Sequence, residues 1–122
     1  MIAKAKAERK ADQPNFSQPI VSLAPYSANL EYRVGGLNAP ASTHDKDAEL
    51  FYMIDGTATL VTGGKLTAPM KDGDNWRGTG IEGGKAQKMS KGDFMLVPAG
   101  TPHWFTNIEG QITEFSLHLP AN

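Results

Sequence analysis

An all-β fold is what this chain of 122 residues predicts, on three observations. Glycine and proline punctuate it at short intervals, at Gly35-Gly36, Gly63-Gly64, Gly83-Gly84, Gly92 and Pro98, as many short strands require. Between these points residues alternate in character, as where Phe115, Leu117 and Leu119 take one face of a strand and Glu114, Ser116 and His118 the other. Asp55-Gly56 closes an apolar run with a strong hairpin signal, and its glycine supplies the positive φ that such a turn asks for.

Residues 1–12, rich in Ala and Lys, predict a short exposed helix or a disordered arm that Pro14 ends. Strands are expected over 20–23 and 29–34. Ser42 and His44 are two apart and share a strand face, as do Glu49, Phe51 and Met53. His44 and Glu49 are five apart, an odd spacing that demands a turn, and Asp45-Lys46-Asp47-Ala48 is polar enough to make one. A strand over 50–54 then leads through the Asp55-Gly56 turn into a strand over 57–62. Residues 63–88 form the least regular stretch and read as a hairpin extension or long loop. Strands over 93–97 and 111–119 complete the chain. Gly78-Thr79-Gly80-Ile81-Glu82-Gly83 fits a dinucleotide-loop pattern, but Gly84 follows at once and no helix can begin there, so it reads as a loop.

At this length one domain is expected, with 1–19 as an arm and 20–122 as the folded unit, burying roughly two-thirds of the unfolded chain's surface. A formal charge of −1 and the absence of a basic stripe argue against nucleic acid as a partner. No apolar run approaches the roughly 20 residues of a membrane helix. Cysteine is absent, which excludes disulfides and thiolate sites together. Lys4, Lys6 and Lys10 precede no apolar core, so the N-terminus does not read as a signal peptide. The cytoplasm is the simpler expectation, and an exported form whose leader was removed stays open. Asn15-Phe16-Ser17 matches a glycosylation acceptor, a pattern that chance explains.

Two spaced patterns carry the chemistry. One runs from Gly92 through Pro98, Ala99, Gly100 and His103 to Asn107, and the other from Gly36 through Ser42, Thr43, His44 and Glu49 to Gly56. Together they resemble the two signatures of the cupin superfamily, the second without substitution. The first keeps its spacing but has Ser42 where the family usually has histidine. The motifs and the segment between them span well over half of the chain. This resemblance implies a double-stranded β-helix, a jelly-roll barrel, with His44, Glu49 and His103 as metal ligands in its mouth. It also implies a homodimer.

Two imidazoles and one carboxylate suffice for a divalent ion, Fe, Mn, Zn or Ni, with coordination positions left open. Ser42 offers a weak lone pair and suits a hydrogen bond to a small ligand better than metal binding. Phe51, Met53 and Phe105 are expected to line the pocket by parity with Glu49 and His103, with ordinary core packing as the equal rival, and Asn107 to stand near it or to serve as a structural hydrogen-bonder at the strand end. His118 lies outside both motifs, and its face, cavity or solvent, stays open.

Two functions are compatible with this set. One is a metal-dependent enzyme acting on a small organic molecule by oxygenase, lyase or isomerase chemistry, with Glu49 and His44 as the reacting groups. The other is a small-ligand binding or sensing module without turnover; without metal, Glu49 and His44 would form a buried ion pair or act as an acid-base pair on a small substrate. Fold does not choose between them.

Overall fold

The computed structural model describes residues 6–8, 10–37 and 39–120 and is built almost wholly of strands. β1 (Asn15–Leu23) and β2 (Tyr26–Val34) form a hairpin, followed by β3 (Ala41–His44), β4 (Asp47–Asp55) and β5 (Thr57–Thr62). The 63–88 stretch, read as a hairpin extension or long loop, is strand and contains a hairpin: β6 (Lys65–Thr67), β7 (Met70–Asp72), β8 (Asn75–Gly78), β9 (Gly80–Glu82) and the start of β10 (Lys85–Ser90). β11 (Phe94–Val97), β12 (His103–Thr106) and β13 (Gln111–Pro120) complete the order.

Two sheets face each other, one ordered β1-β2-β13-β4-β11 and the other β10-β5-β12-β3-β8-β7, with β6-β9 as a separate ribbon. This is a jelly-roll sandwich whose consecutive strands cross between sheets. The β7–β8 hairpin widens the second sheet beyond β3, so the segment that carries no strong strand signal still satisfies its backbone by edge pairing.

Several boundaries differ from expectation for local reasons. β1 begins at Asn15, within the stretch assigned to the arm, because 15–23 pairs antiparallel with β2 around a register shift near Pro19. Residues 6–8 are helical, while 1–5 lie outside the described residues. The turn after β3 uses only Asp45 and Lys46. Asp47 and Ala48 already pair with Pro120 and Leu119, which extends β4 backwards. At Gly56, where φ is +87°, a Cβ would stand 2.4 Å from the Gln111 carbonyl oxygen, so the hairpin turn and its close neighbour both require glycine.

Phe51, Met53, Ala58, Leu60, Met89, Val97, Phe105 and Ile112 form the core between the sheets. Phe51 and Met53 were expected to line the pocket. They lie instead in this core, because β4 carries its inward residues deeper into the barrel after Glu49. Leu30 and Tyr32 alternate with the inward Glu31 and Arg33 and pack with Phe16, Val34 and Ile54 in a second cluster, on the other face of the first sheet.

Because Phe51 is fully buried and meets the Phe105 ring edge-on at 5.1 Å, Phe51→Ala should lower unfolding free energy by about 3–5 kcal/mol. Urea denaturation followed by fluorescence measures it, and a change under about 1 kcal/mol would mean that the core is not packed this way.

Candidate metal centre

Four side chains converge at one end of the barrel, two from each sheet. His44 ends β3 and His103 begins β12 in the second sheet, where His103 lies opposite Ser42. Glu49 on β4 and His118 on β13 are paired neighbours in the first sheet. Alternation turns Glu49 and His118 inward from their wall and His44 and His103 inward from theirs.

Glu49 is the hub. Its Oε1 lies 3.2 Å from His44 Nε2 and 3.2 Å from His103 Nε2, and its Oε2 lies 3.4 Å from His118 Nε2. Ser116 Oγ donates a short hydrogen bond to the same Oε2. Among the described residues, His44, Glu49 and His118 present donor atoms all within 4.8 Å of one another, and His103 joins them through Glu49 Oε1. The His44 ring centroid stands 5.0 Å from that of His103 and 5.2 Å from that of His118.

The far sides of the rings fix their tautomers. Asn75 Oδ1, on the inserted β8, accepts from His44 Nδ1 at 2.8 Å, and the Thr101 carbonyl accepts from His103 Nδ1 at 3.3 Å. Asp47 Oδ2 lies 3.7 Å from His118 Nδ1. A neutral imidazole whose Nδ1 carries the proton turns a lone pair, not a proton, from Nε2. With the proton on Nδ1 of both rings, the buried Glu49 Oε1 receives no hydrogen bond, although two imidazole nitrogens stand beside it. A cation among these atoms would satisfy the facing lone pairs, and so would protons on the ring nitrogens.

A divalent ion fits. Atoms bound at about 2.1 Å to one ion stand roughly 3.0–3.4 Å apart at octahedral or tetrahedral angles, and the Nε2–Oε1 spacings are 3.2 Å. His44, Glu49 and His118 would hold it, their donor atoms lying within 4.8 Å of one another, and His103 Nε2, 3.2 Å from Glu49 Oε1 but outside that group, is the fourth candidate ligand; outer hydrogen bonds orient the rings as at known metal sites.

Electrostatics agree with a polarised cluster. Burial works to raise the Glu49 carboxyl, but hydrogen bonding with His103 and His44 and the charge of nearby imidazoles outweigh it and hold the group well below the usual carboxylate range. Burial works to lower His44, yet its interactions with Glu49 and Asn75 prevail and raise it above 6.5.

A cleft of about 440 Å³ opens beside the centre, lined by Ser42, His44, Glu49, His103, Phe105 and His118 together with Arg33, Glu31, Arg77 and Trp104. Ser42 and Phe105 are therefore on its wall. Phe51 lies outside that lining and packs against the His103 ring at 5.6 Å, while Met53 belongs wholly to the core. Asn107 is not at the site: it turns the chain after β12 with φ of +48° and borders a separate surface groove with Gly35 and Ile108. Trp104 donates from Nε1 to the Ala39 carbonyl, and Trp76 from Nε1 to Asp45.

Sequence reasoning left His118 open and missed Arg33, Arg77 and Asn75. The parity of Glu114, Ser116 and His118 was the available signal for His118, since Ser116 and Glu114 are fully buried on that face. No local pattern marks the other three.

The cupin family profile matches residues 10–122, and the chain belongs to the cupin family. No curated protein sequence matches it. Among solved structures it is similar to KdgF from Halomonas sp., at 13% identity and TM-score 0.68 over 93% of this chain and 86% of that one. It is also similar to FeII HppE, at 14% identity and TM-score 0.67 over 91% of this chain and 54% of that one. A third is the DMSP lyase DddQ from Ruegeria pomeroyi DSS-3, at 17% identity and TM-score 0.63 over 91% of this chain and 50% of that one. The chain spans about half the length of HppE and DddQ. At these identities the likeness shows the fold.

Titration gives this cluster a signature. With its folded-state value raised above 6.5, His44 stabilises the metal-free fold fully below pH 6.5, and that contribution is lost as pH rises through the raised value. Glu49, depressed below 4.5, contributes above pH 4.5 and loses its contribution as pH falls. The cluster should therefore support the metal-free protein best between pH 4.5 and 6.5. Metal reverses the upper limb, because only deprotonated imidazoles bind it. With rising pH, the urea midpoints of the protein and its His44→Gln variant should converge in EDTA and separate in excess zinc. Equal pH profiles for the two proteins under both conditions would contradict the cluster.

Proposed function

We propose that this chain holds one divalent metal ion on His44, Glu49, His103 and His118 and acts as an enzyme on a small organic molecule in the adjoining cleft. The observation that carries the reading is the arrangement of three imidazoles with Nε2 turned to one buried carboxylate, two of them with Nδ1 tied to fixed acceptors. A purely structural ion pair needs one histidine, not three. The mention of iron in the name of the HppE structure, and of lyase in that of DddQ, adds support by analogy.

When bound, the ion would supply Lewis acidity toward a ligand oxygen for lyase or isomerase chemistry, and a redox-active ion such as iron would be needed for oxygenase chemistry. The chain's own part is positioning. His118 stands in for the imidazole absent at position 42, approaching Glu49 from the neighbouring strand. Ser42 keeps its hydroxyl on the cleft wall, where it can hydrogen-bond the ligand. Trp104 and Phe105 supply apolar wall and exclude water on that side. Fe, Mn, Zn and Ni all suit this nitrogen and oxygen donor set.

We also propose a homodimer. β11 is an edge strand that displays Phe94, 66% exposed, and Leu96, 57% exposed, beside Tyr52. Contiguous exposed apolar surface of this kind marks interaction sites.

Metal analysis of untreated protein should find about one ion per chain. His44→Ala, Glu49→Ala, His103→Ala and His118→Ala should each weaken zinc binding by more than the 10–100-fold typical of losing an orienting partner, and Asn75→Ala should fall roughly within that range. Ser42→His placed on His118→Ala should restore much of the loss. Calorimetric titrations unchanged across the single variants would remove the metal centre. Conversion of a substrate by the loaded protein separates an enzyme from a module that only binds.

Sedimentation equilibrium should give twice the chain mass, and Phe94→Glu with Leu96→Glu should reduce it to one. A wild-type monomer at about 100 μM, well above ordinary dimer affinities, would exclude the dimer.

A further inference from the structure

The cleft carries an arginine that the metal reading does not use. Arg33 on β2 lines it with a side chain only 14% exposed. Its Nε donates to Glu114 Oε1 at 2.6 Å and its Nη2 to Glu31 Oε2 at 2.7 Å, and its guanidinium lies 4.8 Å from the Phe105 ring centroid. Three contacts thus lock a long, flexible side chain in one geometry. Nη1 has no partner among the described residues.

The second arginine arrives by a different route. Arg77 belongs to β8, in the 63–88 extension, and lies opposite Ser42 in the β3–β8 pairing. It too lines the cleft, at the rim, where Asp72 Oδ2 stands 3.8 Å from its Nε. The extension therefore brings a cation to the edge of the site, in addition to Asn75 behind His44.

Charge then decides the ligand class. Arg33, Arg77, Glu31 and Glu49 are the charged residues lining the cleft, two of each sign, and Glu114 is sealed behind the wall with no exposure. With neutral imidazoles the lining is balanced, and a divalent ion leaves two positive charges in excess. A guanidinium with a free edge favours planar oxyanions, for which it can supply charge-assisted hydrogen bonds in fixed geometry.

We infer that the molecule bound beside the metal centre is a small organic anion carrying a carboxylate, with Arg33 as its fixed anchor and Arg77 as a specificity-determining residue at the rim. This deepens the metal-enzyme reading and rests on it. The cleft volume of about 440 Å³ suits a molecule of a few carbons to roughly a dozen non-hydrogen atoms.

The test uses full-length protein loaded with zinc, with the zinc stoichiometry measured first so that loss of the metal reading is seen separately. Calorimetry then follows the dicarboxylates from oxalate to adipate, their diamides, and 1,3-diaminopropane. At least one dicarboxylate should bind tenfold or more tightly than its diamide, and the diamine should not bind. Arg33→Lys keeps the charge facing Glu31 and Glu114 but loses the planar fork, and should weaken that dicarboxylate roughly tenfold with zinc affinity unchanged. Arg77→Ala changes an exposed side chain and should weaken it several-fold without touching the fold. Carboxylates held by zinc alone would bind both variants like the parent, and that result overturns the inference. So does equal binding of diamide and dicarboxylate, preference for the diamine, or no dicarboxylate binding by protein with full zinc. If Arg33→Lys fails to fold, Arg77→Ala and the amide comparison decide.

Discussion

A carboxylate 3% exposed between two sheets is the constraint on which this architecture turns. An isolated ion in such a place costs several kcal/mol even after relaxation, so Glu49 must be matched by positive charge or hydrogen bonds. Ser116 supplies one hydrogen bond, and three imidazoles crowd the remaining directions. The two sheets contribute equally, His44 and His103 from one and Glu49 and His118 from the other. The cluster therefore exists only when the sandwich is closed, so a cation bound there would favour sheet packing.

Polar residues continue from this hub along the barrel interior. Glu49, Ser116, Glu114, Arg33 and Glu31 form a connected row on the inner face of the first sheet, ending where Asn15 donates from Nδ2 to Glu31. Burial raises Glu114 well above the usual carboxylate range despite Arg33, and Glu31 and Glu49 push it further. Arg33 stays cationic because those carboxylates outweigh its own burial. Such a row is costly unless its members satisfy one another. Its benefit is rigidity at the cleft wall, opposite the apolar surface of Trp104 and Phe105.

The 63–88 stretch shapes the site rather than merely decorating the surface. By adding β8 beside β3 it places Asn75 against the outer nitrogen of His44 and Arg77 at the cleft rim. An extra hairpin at a sheet edge can alter the surroundings of a site in this way because each added strand brings inward residues at a fixed spacing.

Alternation and turn chemistry were legible in the residues alone. Asp55-Gly56, the inward face of Glu49, Phe51 and Met53, and the spacing of Ser42 from His44 are local properties, set by a period of two and by what glycine permits. They specified strands and the all-β class, while His44, Glu49 and His103 were singled out by the resemblance to the two cupin signatures. Depth along a strand is not local, so Phe51 and Met53 carried the right parity for the pocket yet lie beneath it, and Asn107 sits near His103 in sequence but turns away at the strand end. Alternation put His118 on the face of Glu114 and Ser116, but only the tertiary structure brought it to Glu49. It reaches Glu49 because β13 pairs with β4 in one particular register, slipped by an irregularity between Thr113 and Glu114. A shift of one residue would have turned it to the opposite face. Pairing between segments some 67 residues apart, the separation of Ser116 from Glu49, is decided by how whole sheets pack, and no pattern within either strand encodes it.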